Sequence, residues 1–509
     1  MRSRTCAIAL IAASFLAGCQ LLNQTGPSGH VDRLPPGSEV SDPLDQSWSD
    51  YDLFLPGLMQ DEPARSRPLT AASIYHLDVV VAQDLQSLNG REEIRFLNSG
   101  GAPLEKLYLR LFPNLAGGRL TVHDIRIDGQ PVAASLQSGQ SVLAIPLTDV
   151  LTPGRELVLQ LSFALEIPQT MEGNYGLFGY HDGILLLQEF HPVIPAQTEA
   201  GWALEVPPPF GDLTSQPASY YLVRLQIPAG LTLISSGRML QQGFKDADQV
   251  VLIADGPARD LYLAAGENLD QAATEEGGIY LIDYARPEFS SAMSRINEIT
   301  ASALGIFEEL LSPYPYTELE TFATPMQALG IEYPGAIGLT DRLYDHEATI
   351  SGVSSQVYLE STVVHEVAHQ WFYNLVGNDQ VEDPWLDEAM AQYMTGLYFR
   401  ERYGEQAYEQ ARASWVARWD RVDREPIPIG LPSSSYTSKE YGAIVYGRGP
   451  LFIEALADEM GEEDFLRFLR RYVDELRWKV STPAQFERLA EETCSCELDA
   501  LFDAWVFPQ

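Results

Sequence analysis

Between about Ala72 and Leu269 apolar and polar residues alternate in short runs, among them YHLDVVV, EEIRFLN, LEKLYLRLF, ELVLQLSFAL, YYLVRLQIP and QVVLIAD. A period of two sends successive side chains to opposite faces of a strand, and turn residues separate the runs. No long amphipathic helix interrupts them. The pattern predicts an all-β sandwich or saddle over residues 72–275. Near Gly278 the period changes. After one more strand, IYLIDY, the stretch SSAMSRINEITASALGIFEELL has apolar residues at helical spacing. Strands around ELETFATP and then mostly helices predict a mixed α/β domain over residues 276–509, making the chain α+β and multidomain. Within it, VYLESTVV and QWFYNLV read as one long helix.

Two segments precede the alternating region. Residues 1–19 carry Arg2 and Arg4, an apolar run from Ala7 to Leu16, and then small residues. That is a secretion signal, too short to cross a bilayer as a helix. Leu16-Ala17-Gly18-Cys19 resembles the lipobox of bacterial lipoproteins, which implies lipidation of Cys19 and attachment to a membrane in the cell envelope, outside the cytoplasm. Residues 20–71 are rich in proline, glycine and polar residues and predict a flexible tether; Trp48, Tyr51 and Phe54 are candidates to dock on the folded body.

The balance of 33 Lys+Arg against 71 Asp+Glu, a net charge of -38, argues against a nucleic-acid partner, which calls for a cationic surface. Once the signal and the lipidated cysteine are set aside, Cys494 and Cys496 remain, readable as two structural thiols or a local bridge. Disulfides do not build this fold. The oligomeric state is not legible.

Candidate chemistry enters with VVHEVAHQWFYNL, residues 363–375. On a helix His365 and His369 share one face, so both imidazoles can reach one ion, and Glu366 sits beside them. H-E-x-x-H is a zinc-protease pattern. A zinc site needs a third protein ligand, and Glu388, in the helical stretch PWLDEAMAQY beyond a Gly377–Pro384 break, is the candidate. His181, His191 and His346 have no partners at ligand spacing and read as ordinary histidines.

HEVAHQWFYNL followed by WLDEAMAQY resembles the aminopeptidase N family of zinc metallopeptidases. The resemblance implies one Zn2+ per chain on His365, His369 and Glu388, a thermolysin-like catalytic domain, and Glu366 as general base. It extends to Leu329-Gly330-Ile331-Glu332-Tyr333-Pro334-Gly335, which is similar to the family's substrate motif; Gly330 would contact substrate and Glu332 would bind its free α-amine. It extends also to Tyr446-Gly447-Arg448-Gly449, implying that Tyr446 stabilises the oxyanion, with Tyr441 as a second substrate-side tyrosine. Gln188 and Glu189 are weak candidates for the other half of the amine anchor. A short form without the family's helical C-terminal domain is expected. The implied activity is removal of N-terminal residues from peptides with free N-termini. A zinc endopeptidase and a non-catalytic peptide-binding lipoprotein are the alternatives.

Overall fold

The computed structural model describes residues 31–35, 37–65, 69–171, 175–198, 201–211 and 216–507. Cys19 and the leader lie outside them. No helix among the described residues is long and apolar enough to cross a membrane.

The alternating runs form a nine-stranded sheet centred on Ser219–Pro228, Ile74–Val81, Ser87–Leu97 and Glu156–Glu166. Along Glu156–Glu166, Leu157, Leu159, Leu161, Phe163 and Leu165 all point inward and are buried. Gly90 opposes Phe163 across the ladder, and a Cβ there would lie 2.2 Å from the phenyl ring. A three-stranded sheet containing Leu104–Arg110 and a four-stranded sheet containing Ile184–Leu187 share this core: Leu77, Leu107 and Leu185 belong to one apolar cluster. Each such side chain contributes about 1.5–3 kcal/mol of burial.

The second body is built on a five-stranded sheet in the order Asp270–Glu276, Ile279–Ala285, Glu318–Thr324, Ala336–Thr340, Gly330–Tyr333. Ile279–Ala285 and Glu318–Thr324 run parallel, which requires a crossover. The helix Ser290–Leu310 supplies it, burying Ala292, Met293, Ile296, Ile299, Ala303, Leu304 and Phe307 at spacings of three and four. Tyr262 stacks on Tyr333 with ring centroids 3.8 Å apart, so the β-rich domain sets the position of the strand that carries Glu332.

The tether expectation needs correcting for residues 37–65. Trp48 stacks on His76 at 4.1 Å, and Phe54 packs against Tyr220. Further on, buried Glu62 pairs with Arg477 at 2.8 Å and accepts from the Trp478 indole. A segment poor in apolar residues docks here through a few well-placed anchors. Cys494 and Cys496 are joined by a disulfide, the local bridge of the two sequence readings.

Candidate metal centre

The helix Gln356–Ala368 brings His365 and Glu366 to its last turn, and His369 is its C-cap. The predicted long helix therefore ends early. Beyond His369 the chain turns back through residues 370–377, with Tyr373 at φ 121°. The β-rich domain holds this loop: Arg259 donates to the carbonyls of Tyr373, Asn374 and Leu375, and the Tyr373 hydroxyl donates to Asp260. Long-range hydrogen bonds thus override a helix-compatible sequence.

Glu388 comes from the first turn of the helix Trp385–Tyr403, which Pro384 starts. The neighbouring Asp387 accepts the Glu388 backbone N–H at 2.8 Å and the Gln380 amide at 3.0 Å. Burial, followed by the Glu388 charge, pushes the Asp387 carboxyl up to about 7.

The three side chains converge. His365 Nε2 lies 3.0 Å from Glu388 Oε2 and 3.1 Å from His369 Nε2, and His369 Nε2 lies 3.5 Å from the same carboxylate oxygen. All three residues are buried. A tetrahedral ion with bonds of about 2.0–2.1 Å spaces its ligand atoms by roughly 3.3 Å, so the set fits one zinc-sized cation. The tautomer fits too. His369 Nδ1 faces the Phe372 carbonyl at 2.9 Å and must be its donor, so the neutral ring turns the Nε2 lone pair toward the other ligands. Two imidazoles and a carboxylate are a borderline-soft donor set of the kind zinc takes in catalytic sites.

Around this triad the remaining residues assemble. The Glu366 carboxylate rests on Gly330, whose Cβ, if present, would lie 2.2 Å from Oε1. Burial and the charge of Glu332 push the Glu366 carboxyl up. Glu332 accepts the Gln380 amide at 3.3 Å, and its carboxylate, His369 and Asp387 offer ligand atoms within 4.8 Å of one another. Tyr446 donates to Glu388 Oε1. It sits in a π-helical turn, Ile444–Arg448, a distortion often found at functional positions. The two glycines of Tyr446-Gly447-Arg448-Gly449 are close-approach residues: Cβ atoms would fall 2.9 Å from the Trp419 backbone at Gly447 and 2.6 Å from Ala389 at Gly449. Arg448 points away, donating to the carbonyls of Ile427, Ala504 and Trp505. Tyr441 is buried beside Tyr446, ring centroids 5.9 Å apart, with Phe210 of the β-rich domain on its other side.

Gln188 accepts from the Tyr333 hydroxyl at 3.1 Å, while buried Glu189 accepts from Gln216. His181 faces the Phe178 carbonyl and His191 faces Glu92, both in structural pairs. Sequence reasoning missed Gln380, Asp387, Arg259 and Arg418, whose guanidinium lies 5.8 Å from the Tyr446 ring centroid. Asp387 alone left a signal, an acid in the first turn of a helix beside a candidate ligand.

Fold and donor set together define a mononuclear metal centre of the H-E-x-x-H type. Residues 296–505 match the Peptidase family M1 domain. Endoplasmic reticulum aminopeptidase 2 of Bos taurus is 25% identical over 214 residues, 41% of this chain and 22% of that protein. Aminopeptidase 2 of Candida albicans is 21% identical over 407 residues, 77% of this chain and 43% of that protein. The chain thus spans less than half the length of these curated relatives. Among solved structures, an M1 zinc metallopeptidase from Deinococcus radiodurans superposes with a TM-score of 0.65 at 19% identity, covering 86% of this chain and 95% of that one; the likeness is one of fold.

Proposed function

We propose that the chain is a zinc aminopeptidase that removes N-terminal residues from peptides. The observation that carries this reading is the convergence of three ligand atoms within 3.5 Å, with the Glu366 carboxylate beside them on Gly330 and the Tyr446 hydroxyl on Glu388. His365, His369 and Glu388 would hold the ion. Zinc there supplies Lewis acidity at the scissile carbonyl and lowers the pKa of a water toward about 7. Glu366 takes the proton of the attacking water and hands it to the leaving amine. The Tyr446 hydroxyl turns its hydrogen bond toward the developing oxyanion. Glu332 accepts the substrate's α-ammonium through a charge-assisted bond, so cleavage falls after the first residue. Support for the peptide substrate comes from the curated relatives' names and from a variant of the Deinococcus radiodurans enzyme bound to a Tyr-Ser-Ala substrate, which matches with a TM-score of 0.60 at 20% identity. Leu16-Ala17-Gly18-Cys19 supports a lipid anchor on Cys19 and a site of action at the cell envelope, outside the cytoplasm.

Protein lacking residues 1–19, loaded with zinc, is incubated with peptides having free or acetylated N-termini and read by mass spectrometry. Stepwise loss of first residues from free peptides only is the expected result. Internal cuts in acetylated peptides would replace this reading with an endopeptidase. Glu366→Ala is expected to keep its zinc while turnover falls at least about a hundredfold; unchanged turnover would sink the mechanism.

A further inference from the structure

A recess at the junction of the two domains plays no part in this chemistry. Arg110 ends the strand Leu104–Arg110 and is 5% exposed. Its guanidinium sits over the Phe112 ring, 4.6 Å from the centroid, and Nη1 donates to the Ala203 carbonyl at 3.2 Å. Its Nε and Nη2 are buried and have no hydrogen-bond partner among the described residues. Two unmet N–H groups on a buried cation are costly and call for an explanation.

The neighbouring acids do not supply one. Asp379 spends Oδ1 on the backbone N–H groups of Val381 and Glu382. Glu189 accepts from Gln216. Glu205, at the solvent side, acts on Arg110 only through its charge, and no ion pair forms among the described residues. The recess is bounded by Arg110, Phe112, Glu205, Gln216, Asp379 and Val381.

Nε–H and Nη2–H lie along one edge of the planar guanidinium and match the two oxygens of a single carboxylate. Phe112 and Ala203 hold the plane, so this edge is fixed in advance. We propose that the recess is a carboxylate-binding site, with Arg110 gripping the ligand in bidentate fashion. Asp379 and Val381 flank Gln380, whose amide bonds both Glu332 and Asp387, so the site adjoins the residues assigned to the substrate's amine. Two sources present the same chemistry: an acidic side chain of a bound peptide, or a small free carboxylate. The peptide source rests on the aminopeptidase reading. The free source does not.

Calorimetric titration of zinc-loaded Glu366→Ala protein separates them. The probes are succinate and the isosteric peptides Glu-Ala-Ala and Gln-Ala-Ala. With a peptide source, the Glu peptide binds about tenfold more tightly than the Gln peptide, and succinate erodes the difference. With a free source, succinate binds and the peptides are not distinguished. In either case Arg110→Met in the same background abolishes the effect, and Arg110→Lys, which keeps the charge but not the fork, restores part of it. Circular dichroism and zinc content check that both variants fold. The proposal is overturned if Arg110 protein neither binds succinate nor distinguishes the peptides, or if Arg110→Met and Arg110→Lys leave those properties unchanged. Failure of both peptides to bind counts against the aminopeptidase reading alone, because succinate still decides the site.

Discussion

At Gly330 the informative atom is the one that glycine lacks. A Cβ would stand 2.2 Å from Glu366 Oε1 and 2.5 Å from its Cδ, so the strand can lie under the carboxylate only without a side chain. Gly330→Ala is expected to leave the fold and the three ligands in place, to displace the Glu366 carboxylate, and to lower kcat by at least about tenfold. Steady-state kinetics beside metal analysis checks it; an unchanged kcat with full zinc would show that this contact does not position the base. The resemblance to the aminopeptidase N family singled out Gly330 as a substrate contact, but its steric relation to a residue 36 positions later exists only because the strand Gly330–Tyr333 meets the helix Gln356–Ala368. The same holds for Gly447 and Gly449, which read as parts of a tyrosine motif and prove to be places of close approach, Gly447 to the Trp419 backbone and Gly449 to Ala389.

Elements show how far tertiary contacts override local preference. Residues 357–376 are apolar enough for one helix, yet the helix stops at Ala368 because Arg259 collects the carbonyls that follow. Arg259 also donates to the carbonyls of Gln216 and Lys479. Arg259→Met leaves these acceptors unmet and is expected to destabilise the protein by about 3 kcal/mol and to weaken zinc binding through His369. Denaturant unfolding and competition with a zinc chelator measure the two effects, with Arg259→Lys recovering part of each. A second element carries a pH dependence. Asp283, on the strand Ile279–Ala285, is fully buried and accepts from Thr321 and from the Tyr344 hydroxyl. Burial pushes its carboxyl up from 3.8 to about 7. Between those values the folded chain keeps a proton that the unfolded chain has lost, so stability falls as pH rises through that window. Asp283→Asn, which cannot ionise, is expected to lose that part of the decline. Melting temperatures of both proteins from pH 4.5 to 7.5 decide it, and parallel curves would refute it.

Across the whole molecule the N-terminal segment acts as a strap. It touches the β-rich domain through Trp48 and Phe54, then crosses to the other body, where Met59 donates to the Pro315 carbonyl and Glu62 meets Arg477 and Trp478. Removing one partner of a buried ion pair strands the other. Glu62→Ala is therefore expected to cost about 3–5 kcal/mol, read by denaturant unfolding. A loss below about 1 kcal/mol, the level of an exposed pair, would mean that the strap does not bear on stability. Only the aromatic anchors Trp48, Tyr51 and Phe54 were legible in advance; the rest of the strap has the composition of a linker, and the Glu62 contacts leave no pattern along the chain.

Local period determined the order of structures in this chain. Alternation marked the β-rich part, spacings of three and four marked the helix Ser290–Leu310, and the i, i+4 histidines with a glutamate between them declared a metal centre, since one helical turn suffices to place them. Everything at the centre that depends on two segments meeting was decided by tertiary structure. Glu388 joins the histidines because one helix packs against another, and Glu366 finds room because a strand without a side chain runs beneath it. The loop after the histidine helix turns back where a buried arginine from the other domain takes its carbonyls, and two buried N–H groups of Arg110 are left over once Phe112 and Ala203 hold the rest of it. A sequence pattern records what neighbours along the chain do to one another; hydrogen-bond partners hundreds of residues apart leave no period to read.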